Sequence, residues 1–388
     1  GKLGSGKQKQ DTLTNLIAVF EDPALNFTRN RAEGDDILGD AYEYLMRHFA
    51  TDSGKSKGQF YTPAEVSRVM AKIVGIGDAK TTAQTTVYDP TCGSGSLLIK
   101  VADEAKTRVT LYGQEKDSST AGLAQMNLIL HDYATAMIHP GQSTLAAPAF
   151  RDGEAIKTFD FVVANPPFSY RWNPSEEMAK DFRFKDYGLA PKSAADFAFL
   201  LHGFHFLAKD GTMAIILPHG VLFRGGAEKA IRTKLLKDGN IDTVIGLPAK
   251  LFYSTGIPVC ILVLKKCKRT DDVLFINAAE HYQPGKRQNA LLPEHIDKIV
   301  ETYKHRKEED RYSRVVSLQE IEEEHDFNLN ISRYVSTAKP EEGVDLAAVH
   351  QRLGDLRKQV RSAAARHNGF LEELGVPTLP HELENRSD

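Results

Sequence analysis

A chain of 388 residues, 41% hydrophobic and 26% charged, has the composition of an ordinary globular protein and the length for one large catalytic domain with helical additions. A formal charge of −3 excludes a protein that coats nucleic acid by bulk positive charge, but not a DNA enzyme that borrows phosphate contacts from a partner. No apolar run approaches the roughly 20 residues of a membrane span, no signal peptide is visible, and Cys92, Cys260 and Cys267 lack a CxxC spacing, so neither a membrane, a disulfide nor a metal site is expected, as suits a reducing cytoplasm.

From Asp11 to about Ala50 the apolar residues recur at helical spacing: Leu13, Leu16, Ile17 and Phe20, then Ile37, Leu38, Tyr42, Leu45 and Met46. The small polar stretch 52–58 reads as a loop. Thr62-Pro63-Ala64-Glu65 then opens a helix, with Thr62 expected as its cap, Pro63 in the first helical position and Glu65 completing a capping box. Val66, Val69, Met70 and Ile73 supply its apolar face. Residues 86–88, 109–113, 159–164, 212–217, 243–247 and 259–264 read as strands joined by helical segments. That alternation implies an α/β fold with a doubly wound, mostly parallel sheet. From about Lys298 the sequence turns charged and helical, and Val349, Leu353, Leu356 and Val360 form a short heptad-like seam. We therefore expect an N-terminal helical segment (1–57), a catalytic domain (58–335) and a C-terminal helical segment (336–388).

Three features carry chemistry. Asp89-Pro90-Thr91-Cys92-Gly93-Ser94-Gly95 follows a strand and precedes an apolar helix. Glycines there let a ligand approach the backbone, and the helix offers free N–H groups; a tight structural turn is the plain alternative. Glu115 ends the next strand 20 residues beyond Gly95 (115 − 95), where an acidic side chain can accept from ribose hydroxyls, unless it is simply a solvated surface residue. The sharpest feature is Asn165-Pro166-Pro167-Phe168, at the end of a buried-looking strand. Two prolines cannot donate to a sheet ladder, so the strand must stop and expose its carbonyls at the edge where open α/β sheets bind ligands. An Asn side-chain oxygen and a Pro166 carbonyl can accept the hydrogens of a planar amine and free its lone pair for attack on a sulfonium methyl group. A structural Asn-Pro turn is the alternative.

With these motifs go three longer blocks: GQFYTP at 58–63, LPHGVLFRGG at 217–226 and LFYSTGIPVC at 251–260. In this order, from about residue 35 to Val335, they resemble the modification subunits of type I restriction–modification enzymes. The resemblance implies a Rossmann-like class I fold that methylates adenine N6 in double-stranded DNA with S-adenosylmethionine. It implies that Gln59, Phe60, Tyr61 and Thr62 border the methionine end of the cofactor, and that Asp89, Pro90, Thr91, Gly93, Ser94 and Gly95 cradle it. Glu115 would hold the ribose, and Asn165, Pro166, Pro167 and Phe168 the target base. Phe252 aligns with the aromatic that stacks on the flipped adenine, a core packing role being its alternative. The implied partners are a specificity subunit that reads the DNA, a restriction subunit and a second copy of the chain.

Two departures from the family pattern stand out. Gln142-Ser143-Thr144-Leu145 replaces the family's usual Asn or Asp before Thr-Leu, and members carry a longer helical domain upstream, so this chain is expected to begin inside a longer protein. His202 and His205 share an apolar helix and read as core residues rather than a metal pair. Lys265-Lys266-Cys267-Lys268-Arg269 is either a solvated basic turn or a phosphate contact, and Asp196-Phe197 is a weak candidate for shaping the target side. The rival functions are methylation of a protein glutamine or an rRNA base, and a scaffold that performs no methylation.

Overall fold

The computed structural model describes residues 6–20, 62–152, 155–252, 256–286, 288–337 and 345–379. Of the expected N-terminal helices, α1 (Lys7–Phe20) is described; the remainder up to Ala50, the 52–58 loop, and Gln59, Phe60 and Tyr61 lie outside the described residues. Contacts divide the chain into two compact units, Gly1–Thr337 and Ala338–Asp388.

In the first unit, α2 (Ala64–Ile73) buries Val66, Val69, Met70 and Ile73 as their spacing requires. The expected capping box does not form. Pro63 occupies the cap in an extended conformation, and the Thr62 hydroxyl is engaged elsewhere, as described below. Next come β1 (Thr86–Asp89), α3 (Ser96–Asp103), β2 (Thr110–Glu115), α4 (Ser118–Leu130) and β3 (Met137–Pro140). A two-stranded hairpin, β4 (Arg151–Asp152) with β5 (Ala155–Ile156), leads to β6 (Phe159–Ala164). The chain continues through α5 (Asp196–His205), β7 (Leu207–Pro218), α6 (Gly226–Lys237), β8 (Ile241–Gly246) and β9 (Val259–Lys265). It ends in β10 (Asp272–Asn277), α7 (Pro293–His305), β11 (Ser313–Ser317) and α8 (Leu318–Glu323).

Nine strands form one sheet in the order β3-β2-β1-β6-β7-β9-β8-β10-β11. Pairing is parallel from β3 through β7, β9 is antiparallel to both its neighbours, β10 is parallel to β8, and β11 is antiparallel to β10. The mostly parallel, doubly wound sheet expected from the sequence is therefore present. Alternate residues feed two cores: Val162, Ile215, Leu217 and Leu262 face one, and Phe161, Val163, Ile216 and Ile261 the other. Burial on both faces is why these strands read as continuous apolar runs.

The edge strands were less legible. β3 is mostly solvent-facing and β11 is short, so β11 and α8 interrupt the helical reading beyond Lys298. β10 had an apolar run that the strand assignment passed over.

The topology creates two consequences for a site. The chain winds outward from β1 to β3 and then returns to place β6 beside β1, so a crevice opens between the carboxyl ends of β1 and β6. Because β9 runs antiparallel, the segment that precedes it arrives at this same edge, with Val259 beside Pro218.

One wall of that crevice is fastened by a buried cation. Arg183 donates to both oxygens of Asp181, at 2.9 and 2.8 Å, and to the carbonyls of Thr144 and Leu145, each at 3.0 Å. Its Nη1 also meets His202 Nδ1 at 3.1 Å, and His202 Nε2 meets the Tyr88 hydroxyl at 2.9 Å. Since a guanidinium only donates, Nδ1 accepts and Nε2–H donates to Tyr88. Burial first, and the Arg183 charge second, hold the His202 pKa well below its ordinary value. His202 is a neutral core histidine, as expected.

The second unit is α9 (Leu346–Glu373), capped by Asp345, whose carboxylate accepts from the Ala347 and Ala348 N–H groups. Leu346, Val349, Leu353, Leu356 and Val360 are 44–78% exposed along it.

Replacing Arg183 by Met would remove the guanidinium from Asp181 and two carbonyls, leaving Asp181 only the residue-183 N–H. We expect Arg183→Met to destabilise the fold by about 3–5 kcal/mol in denaturant unfolding, whereas a loss under about 1 kcal/mol would show that the clasp contributes little.

Candidate active site

The first half of the site is the turn after β1. Gly93 and Gly95 take positive φ (53° and 77°), the left-handed region that glycine enters without strain. The turn is tied to its surroundings: Cys92 N–H donates to the Gln114 carbonyl at 3.1 Å, and Asn127 Nδ2 to the Ser94 carbonyl at 2.9 Å. Cys92 packs so closely on Gly113 that a Cβ there would lie 2.8 Å from its sulfur. Burial, followed by the charges of Asp89 and Glu115, pushes the Cys92 thiol well up, so it is no thiolate nucleophile.

Glu115 closes this half. Its Oε2 accepts from Gly93 N–H at 3.1 Å and its Oε1 from Asp117 N–H at 2.9 Å, and a carboxylate has capacity for about four such bonds. Burial raises the Glu115 carboxyl above its usual range, opposed by these backbone N–H groups. Asp89, buried beneath, accepts from Thr91 N–H at 2.8 Å. Burial lifts its carboxyl to about 7; the Thr91 N–H opposes that rise and the nearby Glu115 charge adds to it.

The second half follows β6, whose pairing with β7 ends at Ala164 opposite Ile215. Asn165 Nδ2 donates to the Thr62 hydroxyl at 2.9 Å. This contact occupies the Thr62 side chain that the capping box would have used. Asn165 Oδ1 is left buried with no hydrogen-bond partner among the described residues. Buried acceptors are rarely unpaired in a native fold, so one at a sheet's carboxyl edge points to a ligand. Phe168 packs edge-on against Phe252, with ring centroids 5.8 Å apart, and Phe252 is 4% exposed.

Between the halves lies a cavity of about 400 Å³, within the roughly 300–1,000 Å³ range of small-molecule sites. Of the residues singled out from sequence, Pro90, Thr91, Glu115, Asn165 and Pro167 line it. Asp89, Gly93, Ser94 and Gly95 build the turn behind it, and Thr62 reaches it through Asn165. Pro166, Phe168 and Phe252 do not line it; the two aromatics pair with each other instead.

Sequence reasoning missed Gln114, Lys116, Asp117, Tyr170 and Phe199, which complete the lining. Ser143 and Thr144 also line it, within the stretch marked as a departure. Gln114 holds that stretch, donating to the Gln142 and Ala147 carbonyls at 3.2 and 2.9 Å and accepting from Ala149 N–H at 3.0 Å. The usable signal was Tyr170, an aromatic two residues beyond the tetrapeptide. The basic run after β9 is turned inward: Lys266 donates to the Leu207 carbonyl at 2.6 Å and Lys268 to the Ile241 carbonyl at 3.0 Å, leaving them poorly placed for phosphates.

Cys92 and Cys260 are buried and Cys267 is exposed. A thiol reagent should therefore modify one cysteine per native chain and all three after unfolding; rapid native modification of Cys92 would contradict its packed, protonated state.

The N-6 DNA methylase family model matches residues 33–343. The chain is 36% identical over 391 aligned positions to the type I restriction enzyme MpnII methylase subunit of Mycoplasma pneumoniae, covering 97% of this chain and 70% of that protein. It is 38% identical to the MjaVIII methylase subunit of Methanocaldococcus jannaschii, covering 87% of this chain and 60% of that one. The chain thus spans about two thirds of the length of these relatives. The crystal structure of a type I restriction–modification methyltransferase subunit from Streptococcus thermophilus superposes with a TM-score of 0.76 at 44% identity, over 87% of this chain and 71% of that one. The chain belongs to the N-6 DNA methylase family and, within it, to the methylase subunits of type I restriction enzymes.

Proposed function

We propose that the chain methylates the exocyclic N6 amine of adenine in duplex DNA, as the modification subunit of a type I restriction–modification system, with S-adenosylmethionine as methyl donor. The observation that carries this reading is the buried Asn165 Oδ1, tethered through its amide to Thr62 and without a hydrogen-bond partner among the described residues at the carboxyl edge of β6.

The adenine amine is a weak nucleophile because its lone pair is delocalised into the ring. Asn165 Oδ1 and the Pro166 carbonyl accept its two hydrogens, which draws the nitrogen toward tetrahedral geometry and localises the lone pair. When bound, the cofactor supplies an electrophilic methyl group on a sulfonium. The left-handed turn at Gly93 and Gly95, with Thr91, fits a ligand lying against the backbone, and the acceptor capacity of the Glu115 carboxylate suits ribose hydroxyls. Ser143 and Thr144 line the cavity and would border the cofactor's adenine; by family resemblance Thr62, with Gln59, Phe60 and Tyr61 from outside the described residues, would border its methionine end. N6 is stacked within a duplex, so the target base must be flipped. The family resemblance assigns the aromatic platform for it to Phe252, which packs edge-on against Phe168 of the tetrapeptide.

In this reading the protein works in the cytoplasm, residues 58–335 form the catalytic domain, 1–57 belongs to a larger helical domain, and 336–388 serves subunit docking. The exposed stripe from Val349 to Val360 docks on helices of the specificity subunit, which reads the DNA sequence; a restriction subunit and a second copy of this chain complete the complex.

Transfer of labelled methyl groups to DNA by the full-length protein and its specificity subunit, followed by nucleoside analysis, tests the reading. Label is expected in N6-methyladenine. Label in a cytosine derivative, in RNA or in protein glutamine, or no transfer at all, would refute it.

A further inference from the structure

Two ties run from the proposed catalytic turn to α5. Ser169, directly after Phe168, takes a left-handed backbone (φ +50°), and its N–H donates to Asp196 Oδ1 at 2.8 Å. The next carbonyl, of Tyr170, accepts from Ala195 N–H at 2.9 Å. A non-glycine residue keeps positive φ where its surroundings over-determine it. Here the start of α5 grips the chain immediately behind Asn165–Phe168.

Asp196 is fully buried, and a buried carboxylate needs a charged or hydrogen-bonding partner. Its Oδ2 makes no hydrogen bond among the described residues and faces Arg224 Nη1 at 3.6 Å. Arg224 belongs to the turn after β7 and is shared with the buried Glu228, whose Oε1 lies 3.3 Å away. Its guanidinium lies over Gly220, where any Cβ would collide with it. The backbone beneath is fastened, because Arg232 donates to the Val221 and Arg224 carbonyls at 2.9 and 3.1 Å and Leu329 N–H to the Leu222 carbonyl at 2.8 Å. Arg224 is therefore rooted in a fixed turn, with a guanidinium that is 38% exposed.

We propose that Asp196 and Arg224 are a positioning pair: Asp196 sets the Asn165–Phe168 turn through Ser169, and Arg224, facing its Oδ2, keeps Asp196 aimed. The inference rests on Asn165 as the acceptor of the reacting amine. Neither residue touches the reacting atoms. A displacement of about 1 Å at a reacting group costs about 100-fold in rate, so the pair acts on methyl transfer more than on cofactor affinity.

The test compares Asp196→Ala, Asp196→Asn and Arg224→Ala with wild type in the full-length protein, assembled with its specificity subunit for activity. Single-turnover methyl transfer is read beside S-adenosylmethionine affinity, melting temperature and amide hydrogen exchange at residues 165–171. In both alanine variants the rate is expected to fall about 30- to 100-fold, with cofactor affinity within about twofold. Exchange at the Ser169 N–H is expected to accelerate about tenfold or more, and Asp196→Asn, which keeps an acceptor for it, to recover most of that protection. Unchanged exchange, or a rate within about threefold of wild type, overturns the pair. So does a parallel loss of cofactor affinity and melting temperature, the mark of a general folding role. Should Asp196→Ala fail to fold, Arg224→Ala and Asp196→Asn decide by the same readouts. If wild type itself transfers no methyl to DNA, the functional reading fails while the exchange comparison still decides the tie.

Discussion

The candidate site turns on one atom, Asn165 Oδ1, that no described residue pairs. Leaving a buried acceptor without a hydrogen bond costs about 1–3 kcal/mol, so a fold that keeps one holds it in place by other means. Asn165 Oδ1 is held in that state from three directions. Thr62 takes the amide hydrogen at 2.9 Å and tethers the side chain. Pro166 and Pro167 end the strand at this residue, so the sheet cannot pair the following backbone. Asp196 then anchors the chain at Ser169, before it can relax into a looser loop.

The rest of the sheet brings chemistry to that atom. Returning β6 to the side of β1 sets the Asp89–Gly95 turn and the Asn165–Phe168 turn on facing walls of one crevice. Antiparallel β9 carries the segment containing Phe252 to the same edge, where it meets Phe168. Arg183 fixes the remaining wall by binding the Thr144 and Leu145 carbonyls. The tethers are single hydrogen bonds between distant segments: Thr62 and Asn165 are 103 residues apart, and Thr144 and Arg183 are 39.

Much of this was legible in the sequence, for physical reasons that also mark where the reading stopped. Interior strands such as β6 and β9 are buried on both faces and so are nearly all apolar; the edge strands β3 and β11 are not, and were passed over. Glycine turns and the Pro-Pro stop have local causes, so Gly93, Gly95 and Asn165 could be named from the sequence. Thr62 could not be placed correctly, because its local capping signal competed with a partner 103 residues away. Tyr170 and Phe199 on the cavity wall, and Arg183 and Arg224 behind it, also depend on tertiary contacts. Periodicity and spacing do not encode such contacts.

The most direct measurement of the central claim is the single-turnover rate of methyl transfer by Asn165→Ala, with S-adenosylmethionine affinity determined on the same preparation. If Asn165 Oδ1 accepts the amine hydrogen in the transition state, the rate falls by at least about 100-fold while cofactor affinity stays near wild type. A variant that transfers methyl groups at a rate near wild type would contradict the account.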